Sequence, residues 1–236
     1  MKYAICQINT SVGDLKYNYK KIIGNYELSL SKGADLVIFP ELTITGYPPK
    51  DLLLDKAFID WNLYYSKKIS KQSTKPIIFG FVDRKRDQIY NSLAICYDGK
   101  LFGSYNKKLL PNYDIFDEKR YFQPGLPGNK KINYHVVDIL GSKIGFQICE
   151  DMWNLSTITS NQIDKGKAEC IINISASPYD LNKSRERIFN FRLQFISSKL
   201  SIPFFYCNLV GAQDEIIFDG SSFAMSKFNE SVLFAS

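Results

Sequence analysis

Histidine is almost absent from this sequence, since His135 is the single example in 236 residues. It lies in the stretch NYHVVDI, where a strand residue is a better interpretation than a catalyst. Histidine is the usual general base near neutral pH, so chemistry that depends on it is disfavoured here. Any catalysis is therefore expected to use glutamate, lysine and cysteine side chains.

Cysteine is sparse and widely spaced. Five cysteines occur, an odd number, and no two have the CxxC spacing. This pattern disfavours both a disulfide framework and a zinc site, so no bound metal is expected. Four of them, Cys6, Cys96, Cys170 and Cys207, lie in apolar strand-like runs and are predicted to be small core residues.

Long apolar runs and dense basic runs are also missing. No apolar stretch approaches the roughly 20 residues that span a membrane, and the N-terminus lacks the apolar core of a signal peptide. The net charge is +6, but the lysines are scattered and no arginine-rich run occurs. We therefore expect a cytoplasmic protein that has neither a membrane nor a nucleic acid as partner.

The residues that are present favour a single folded domain over residues 1–236. The chain is 45% hydrophobic and 14% aromatic, enough for one large core. Helices are predicted after the N-cap candidate Asp14, from about Asp51, and over 184–200. Strands are predicted at 2–8, 35–40, 76–82, 91–97, 143–149 and 169–175, and in PFFYCN and SSFAM. This alternation indicates a layered α/β fold.

The stretch GFQICEDMW places the Cys149 thiol directly before two acids, Glu150 and Asp151. Nearby carboxylates raise the pKa of a thiol and make it a poor nucleophile. Either Cys149 is an inert core thiol, or other parts of the chain supply a base and a positive charge.

Two long loops that follow apolar strands offer such partners, in FPELTITGYPPKDLLL and YNKKLLPNYDIFDEKRYFQPG. Glu41 ends a buried strand and is either a partly desolvated general base or an acid that faces water. Lys107 is either a surface lysine or the cation that offsets the acids beside Cys149. Glu118 is either a surface acid or the group that fixes this lysine.

These three stretches, in this order, resemble the nitrilase superfamily of carbon–nitrogen hydrolases. The resemblance implies a four-layer α-β-β-α sandwich, a homo-oligomer, and a catalytic triad of Glu41, Lys107 and Cys149 with Glu118 as an additional glutamate. It also implies that the Lys107 ammonium and the backbone N–H of Glu150 bind the oxyanion.

Within the superfamily, the stretches PELTITGYPPKDLLL, LPNYDIFDEKRYF, ICEDMW, SVGDLKYN and NISASPYDLNK resemble the glutaminase domain of glutamine-dependent NAD synthetases. The resemblance implies hydrolysis of glutamine through a Cys149 thioester, to supply ammonia for NAD synthesis from deamido-NAD. It places Tyr113, Glu150, Ser177 and Lys183 at the substrate. The amidase step then needs no cofactor.

The sequence also departs from that family pattern, because it contains no SGGxDS loop, P-loop or GxGxxG. A synthetase domain that uses ATP and deamido-NAD is therefore expected to follow or to be a separate partner, and the chain is expected to lack C-terminal segments of the sandwich. The alternatives are a stand-alone amidase for another small amide and a catalytically silent scaffold subunit.

Overall fold

The computed structural model describes residues 1–181, 189–191, 194–195, 201–226 and 232–234. The first of its two large sheets has the strand order β1-β2-β3-β4-β5. Its strands are β1 (Tyr3–Ile5), β2 (Leu36–Ile38), β3 (Ile77–Lys85), β4 (Gln88–Tyr97) and β5 (Lys100–Asn106). The pairs β1–β2 and β2–β3 are parallel, whereas β3, β4 and β5 form antiparallel hairpins.

The second sheet and a small hairpin use the remaining strands. These are β6 (Val136–Ile139), β7 (Ser142–Ile148), β8 (Cys170–Ser175), β9 (Phe204–Asn208), β10 (Val210–Gln213), β11 (Ile216–Asp219), β12 (Phe223–Met225) and β13 (Val232–Phe234). The sheet order is β13-β12-β9-β8-β7-β6, with β7, β8 and β9 parallel to one another. Strands β10 and β11 pair separately.

The two sheets face each other across an apolar core. Its members include Leu36, Ile38, Ile78, Leu93, Ile144, Phe146, Ile172 and Ile174. Helices α1 (Leu15–Ser31) and α2 (Lys56–Gln72) cover the outer side of the first sheet. Helical residues 189–191 and 194–195 cover the second sheet, where Phe191 and Phe195 contact Phe204. The predicted four-layer sandwich is confirmed.

Local signals explain where the helices begin. The Asp14 carboxylate accepts a hydrogen bond from the Tyr17 N–H at 3.0 Å, which confirms the predicted N-cap of α1. The predicted start of the second helix near Asp51 is wrong. A short 3-10 turn occupies Lys50–Leu54, and Asp55 caps α2 by accepting from the Ala57 N–H. The predicted third helix lies largely outside the described residues.

Several strands were not predicted from the sequence. Asp98 and Gly99 both have positive φ, at 50° and 71°, and form the tight turn that their sequence predicts. The unpredicted strand β5 follows this turn, and β10 and β11 were also missed, whereas β6 lies within the stretch NYHVVDI that was interpreted as a strand. Within the described ranges, no helix combines the length and apolarity needed to cross a bilayer.

Candidate active site

Three loops that carry the candidate residues meet at one edge of the sandwich. Glu41 follows β2, Lys107 follows β5, and Cys149 follows β7. Strands β2 and β5 belong to the first sheet and β7 to the second, so the packing of the sheets brings the three strand ends together. The Glu41 N–H donates to the Ser175 carbonyl at 3.4 Å, which ties its loop to the end of β8.

Glu41 is buried, with 1% of its surface exposed. Its Oε1 accepts from Asn91 Nδ2 at 2.7 Å and from Lys107 Nζ at 2.8 Å, and its Oε2 accepts from the Ala176 N–H at 2.8 Å. The predicted desolvation of Glu41 is therefore confirmed, and the alternative of a water-facing acid is wrong.

Gly80 of β3 allows the Glu41 loop to lie directly on the sheet. A Cβ at this position would come within 2.1 Å of the Leu42 nitrogen and 2.6 Å of the Glu41 carbonyl carbon. Such distances are far shorter than ordinary contacts between non-bonded atoms. Only glycine fits here without a shift of the backbone that carries Glu41.

Lys107 is as deeply buried as Glu41, at 1% exposure, so the alternative of a surface lysine is wrong. Its Nζ lies 2.8 Å from Glu41 Oε1 and 2.7 Å from Glu118 Oε1. Burial disfavours the charged lysine, but the Glu118 and Glu41 carboxylates outweigh burial and hold the pKa of Lys107 well above its usual value. Lys107 is therefore an ammonium ion.

The backbone of Lys107 is fixed from both sides. Its N–H donates to the Asn91 carbonyl at 2.8 Å, and its carbonyl accepts from the Gly125 N–H at 2.7 Å. A Cβ on Gly125 would lie 2.2 Å from the Asn106 carbonyl oxygen, so this approach of two chain segments requires glycine.

Glu118 is also buried, at 4% exposure, which excludes the alternative of a surface acid. Its Oε1 accepts from Lys107 Nζ and from the Tyr47 hydroxyl at 3.0 Å. Burial raises the pKa of Glu118 to about 7, the Lys107 charge opposes this, and the Glu41 charge adds to it. Glu118 thus fixes the lysine, as expected, and it titrates near neutral pH.

Cys149 lies at the start of a short 3-10 turn, Cys149–Trp153, with a φ of 45°. A positive φ is uncommon for a residue with a side chain and is typical of strained functional positions. Burial and the Glu41 charge raise the pKa of the thiol far above its usual range, and Lys107 offsets only part of this shift. The resting group is therefore a neutral thiol, which needs a base in order to react.

The two acids after Cys149 point in different directions. Asp151 is fully buried and accepts from the N–H groups of Lys108, Leu109 and Ile148 and from the Tyr105 hydroxyl. It joins the chain after Lys107 to the turn that carries the thiol. Burial raises the pKa of Asp151 despite these donors.

Glu150 instead faces a cavity of about 240 Å³ that opens at Cys149. Glu150 Oε2 accepts from the Tyr113 hydroxyl at 3.0 Å, and burial together with the Glu150 charge raises the pKa of Tyr113 to about 12. Ser177 lines the same cavity, and Asn208 holds its backbone through two hydrogen bonds. The structure thus brings Tyr113, Glu150 and Ser177 together, whereas Lys183 lies outside the described residues.

Sequence reasoning missed three side chains that hold this site in place. Asn91 donates to Glu41, and Tyr47 donates to Glu118. The four hydrogen-bond donors that hold Asp151 were also not predicted. The available signals were weak: a polar residue that opens an apolar strand for Asn91, and an aromatic residue in a proline-rich loop for Tyr47. In the described part of the chain, no group of three or more His, Cys, Asp or Glu residues could hold a metal ion.

The sequence matches the carbon–nitrogen hydrolase family over residues 2–228, and the chain belongs to this family. The fold and the buried Glu41–Lys107–Glu118 network beside a thiol agree with that membership. A solved amidase of the nitrilase superfamily from Nesterenkonia sp. AN1 has the same fold, with a TM-score of 0.83 at 18% identity over 100% of this chain and 87% of that one.

More similar relatives are longer proteins. The chain is 38% identical to the glutamine-dependent NAD(+) synthetase of Acinetobacter baylyi and 37% identical to that of Thermotoga maritima. These matches cover 97% and 98% of this chain but 41% and 39% of the relatives, so the chain spans about two-fifths of their length. The solved glutamine-dependent NAD+ synthetase of Acinetobacter baumannii matches with a TM-score of 0.89 and 36% identity, over 99% of this chain and 43% of that one.

Proposed function

We propose that this chain hydrolyses the side-chain amide of glutamine to glutamate and ammonia, and that the ammonia serves NAD synthesis from deamido-NAD. The observation that carries the proposal is the buried network of Glu41, Lys107 and Glu118 beside the Cys149 thiol. The names of the relatives supply the substrate and the product of the larger reaction. A second unit, which uses ATP and deamido-NAD, consumes the ammonia.

The first half-reaction forms a thioester. Glu41 takes the proton of Cys149 as the sulfur attacks the amide carbon, because the resting thiol has a raised pKa and needs a base. Two N–H groups of the Lys107 ammonium are held by Glu41 and Glu118, which leaves the third for the oxyanion. The backbone N–H of Glu150 is the second oxyanion donor. Collapse of the intermediate breaks the C–N bond, and Glu41 returns its proton to the leaving ammonia.

The second half-reaction uses the same groups on water. Glu41 takes a proton from a water molecule as its oxygen attacks the thioester carbon, and the proton returns to the Cys149 sulfur when the C–S bond breaks. Tyr113, Glu150, Ser177 and Lys183 bind the polar groups at the other end of glutamine. Neither half-reaction uses a cofactor.

The proposal is tested by incubating the purified chain with glutamine, ATP and deamido-NAD and measuring ammonia and NAD separately. We expect ammonia without NAD. Cys149→Ala should abolish ammonia release, because no thioester can form. Cys96→Ala is a matched control, because Cys96 is buried in β4 and should leave ammonia release unchanged.

Three results would contradict parts of this proposal. Near-normal turnover by Cys149→Ala would exclude Cys149 as the nucleophile. Formation of NAD by this chain alone would exclude the separate synthetase unit. Hydrolysis of other small amides far faster than glutamine would favour the alternative of a stand-alone amidase.

A further inference from the structure

Asn91 contacts both charged partners of the thiol but belongs to neither loop that carries them. It lies on β4, is fully buried, and pairs with Val82 of β3 in the sheet. Its Nδ2 donates to Glu41 Oε1 at 2.7 Å, and its backbone carbonyl accepts from the Lys107 N–H at 2.8 Å. One residue of the sheet therefore holds the carboxylate and the lysine.

The Glu41 carboxylate fixes the orientation of the Asn91 amide. Asn91 Oδ1 is buried and has no hydrogen-bond partner among the described residues. The amide cannot rotate by 180°, because Oδ1 would then face the Glu41 carboxylate, and two acceptors repel each other.

The hydrogen bonds on Glu41 distinguish its two oxygens. Each carboxylate oxygen has about two acceptor positions. Asn91 and Lys107 occupy both positions of Oε1, whereas Oε2 accepts only from the Ala176 N–H among the described residues. A proton on Oε2 leaves all of these bonds in place. A proton on Oε1 would face two donors that cannot accept it.

We propose that Asn91 is a positioning residue that makes Oε2 of Glu41 the only oxygen that exchanges protons in the reaction. This inference rests on the proposed function. Oε2 takes the thiol proton as the S–C bond forms and gives it to ammonia as the C–N bond breaks. It then takes a proton from water and returns it to the sulfur as the C–S bond breaks.

The test must separate the loss of one hydrogen bond from a change in local charge. Asn91 is neutral, so its replacement leaves the charges around Glu41 unchanged. The titratable groups that act on the same cluster are Lys107, Glu118, Tyr47 and Cys149. The pH profile therefore reports the coupled titration of this whole cluster. The difference between the variant and wild type isolates the contribution of Asn91.

Asn91→Leu keeps the side-chain volume and removes the donor. We expect kcat to fall about 10-fold to 100-fold, the effect of one hydrogen bond to a charged group. KM should change less than about twofold, because Asn91 is not among the residues that line the Cys149 cavity. The acidic limb of the kcat/KM profile should move to higher pH, because the ionised carboxylate has lost a donor.

Asn62→Leu is a matched control, because Asn62 is also fully buried and its side chain makes two hydrogen bonds to Val82. It should lower the thermal midpoint without moving the pH profile. An unchanged kcat in Asn91→Leu, or a lower kcat with an unchanged pH profile, would overturn the proposal. If Asn91→Leu does not fold, Asn91→Ala removes the same donor with less apolar bulk, adds no charge, and carries the same expectation.

Alkylation of Cys149 by iodoacetamide gives a readout that does not depend on glutamine hydrolysis. The alkylation rate is measured against pH. We expect the midpoint of its acidic limb to move to higher pH in Asn91→Leu and to stay unchanged in Asn62→Leu. If the wild-type chain released no ammonia, the proposed function would be contradicted, but the alkylation rates of the variants could still be compared. Equal pH profiles of alkylation in wild type and Asn91→Leu would contradict the role of Asn91 and leave the proposed function untouched.

Discussion

The Cys149 thiol lies beside a buried wall and an exposed wall of side chains, which differ in how tightly they are held. On one wall, Glu41, Lys107 and Glu118 are buried and joined by hydrogen bonds of 2.7 and 2.8 Å. On the other wall, Tyr113 is 55% exposed and Glu150 is half-buried. The buried wall is held by hydrogen bonds among its own charged groups and from Asn91 of β4, whereas the exposed wall is formed by a loop and a short turn.

The contrast indicates which residues are already oriented before a substrate binds. Charged groups that act on a developing oxyanion are most effective when they are already oriented in a site that excludes water. Residues that bind the outer part of a substrate tolerate exposure and looser packing. Changes in the buried wall should therefore affect turnover and folding together, and changes in the exposed wall should affect mainly KM.

The largest expected effect comes from Lys107→Met, which keeps most of the bulk and removes the charge. Turnover should fall at least about 100-fold, the scale of one lost oxyanion donor. The free energy of unfolding should fall by about 3 to 5 kcal/mol, because two buried carboxylates lose their cation. The pKa of Cys149 should rise further, which the pH dependence of alkylation measures.

Lys108→Met is the neighbouring control for Lys107→Met. The Lys108 Nζ lies 5.3 Å from the centre of the Tyr105 ring rather than between carboxylates. Its loss should leave kcat within about twofold of wild type, as expected for a residue outside the reacting groups. Equal losses of kcat in Lys107→Met and Lys108→Met would contradict the distinction between the buried wall and its surroundings.

Glu118→Gln tests the buried wall through the pH dependence of folding. The pKa of Glu118 is about 7 in the folded chain, above the roughly 4.3 of an unfolded glutamate. The folded state therefore binds the proton more tightly, and this group contributes stability below about pH 4 that is lost as pH rises towards 7.

The comparison of wild type with Glu118→Gln isolates this contribution. Between about pH 4.5 and 7, the stability of wild type relative to the variant should fall by about 3 kcal/mol, at most about 1.4 kcal/mol per pH unit. Urea unfolding at several pH values measures the difference. Parallel stability curves would mean that Glu118 titrates as an ordinary surface acid.

Asp151→Asn and Glu150→Gln compare two adjacent acids on opposite sides of the same turn. Asp151 accepts three backbone N–H groups and a tyrosine hydroxyl, and an amide nitrogen in its place would face some of those donors. We expect Asp151→Asn to lower the free energy of unfolding by about 2 kcal/mol. Glu150→Gln should change it by less than about 0.5 kcal/mol. Urea unfolding measures both effects. Similar losses of unfolding free energy in the two variants would contradict the opposite directions assigned to the Asp151 and Glu150 side chains.

Local apolar patterns predicted the strand ends and a layered α/β fold, whereas the four-layer arrangement came from the family resemblance. The continuous apolar run before Glu41 identifies a buried strand, and the capping group of α1 is visible in Asp14. Strand β5 was missed because its residues are mostly exposed and do not form an apolar run. The start of α2 was misplaced because Asp51 and Asp55 are both plausible caps, and only the fold decides between them.

The hydrogen bonds of the site could not be predicted from local patterns. Asn91 reaches Glu41 across 50 residues of sequence, and Tyr47 reaches Glu118 across 71 residues, so both contacts depend on how strands pair. Glu150 and Asp151 are consecutive residues of a 3-10 turn, in which neighbouring side chains point about 120° apart, and this turn begins at Cys149 with a positive φ that a residue other than glycine rarely adopts. The roles of Lys107 and Glu118 came from the family resemblance rather than from composition.

The smallest expected effect concerns the exposed wall, in Tyr113→Phe. The Tyr113 hydroxyl donates to Glu150 Oε2 at 3.0 Å and so orients this carboxylate towards the cavity. Its loss removes one partly exposed hydrogen bond, so KM for glutamine should rise about threefold to tenfold while kcat stays within about twofold. Tyr121→Phe is the control, because its hydroxyl bonds to Asp51 at 2.6 Å in the same loop region and away from Glu150. Steady-state kinetics on both variants measures the effect. A fall in kcat without a change in KM would place Tyr113 with the buried wall and contradict the division between the two walls.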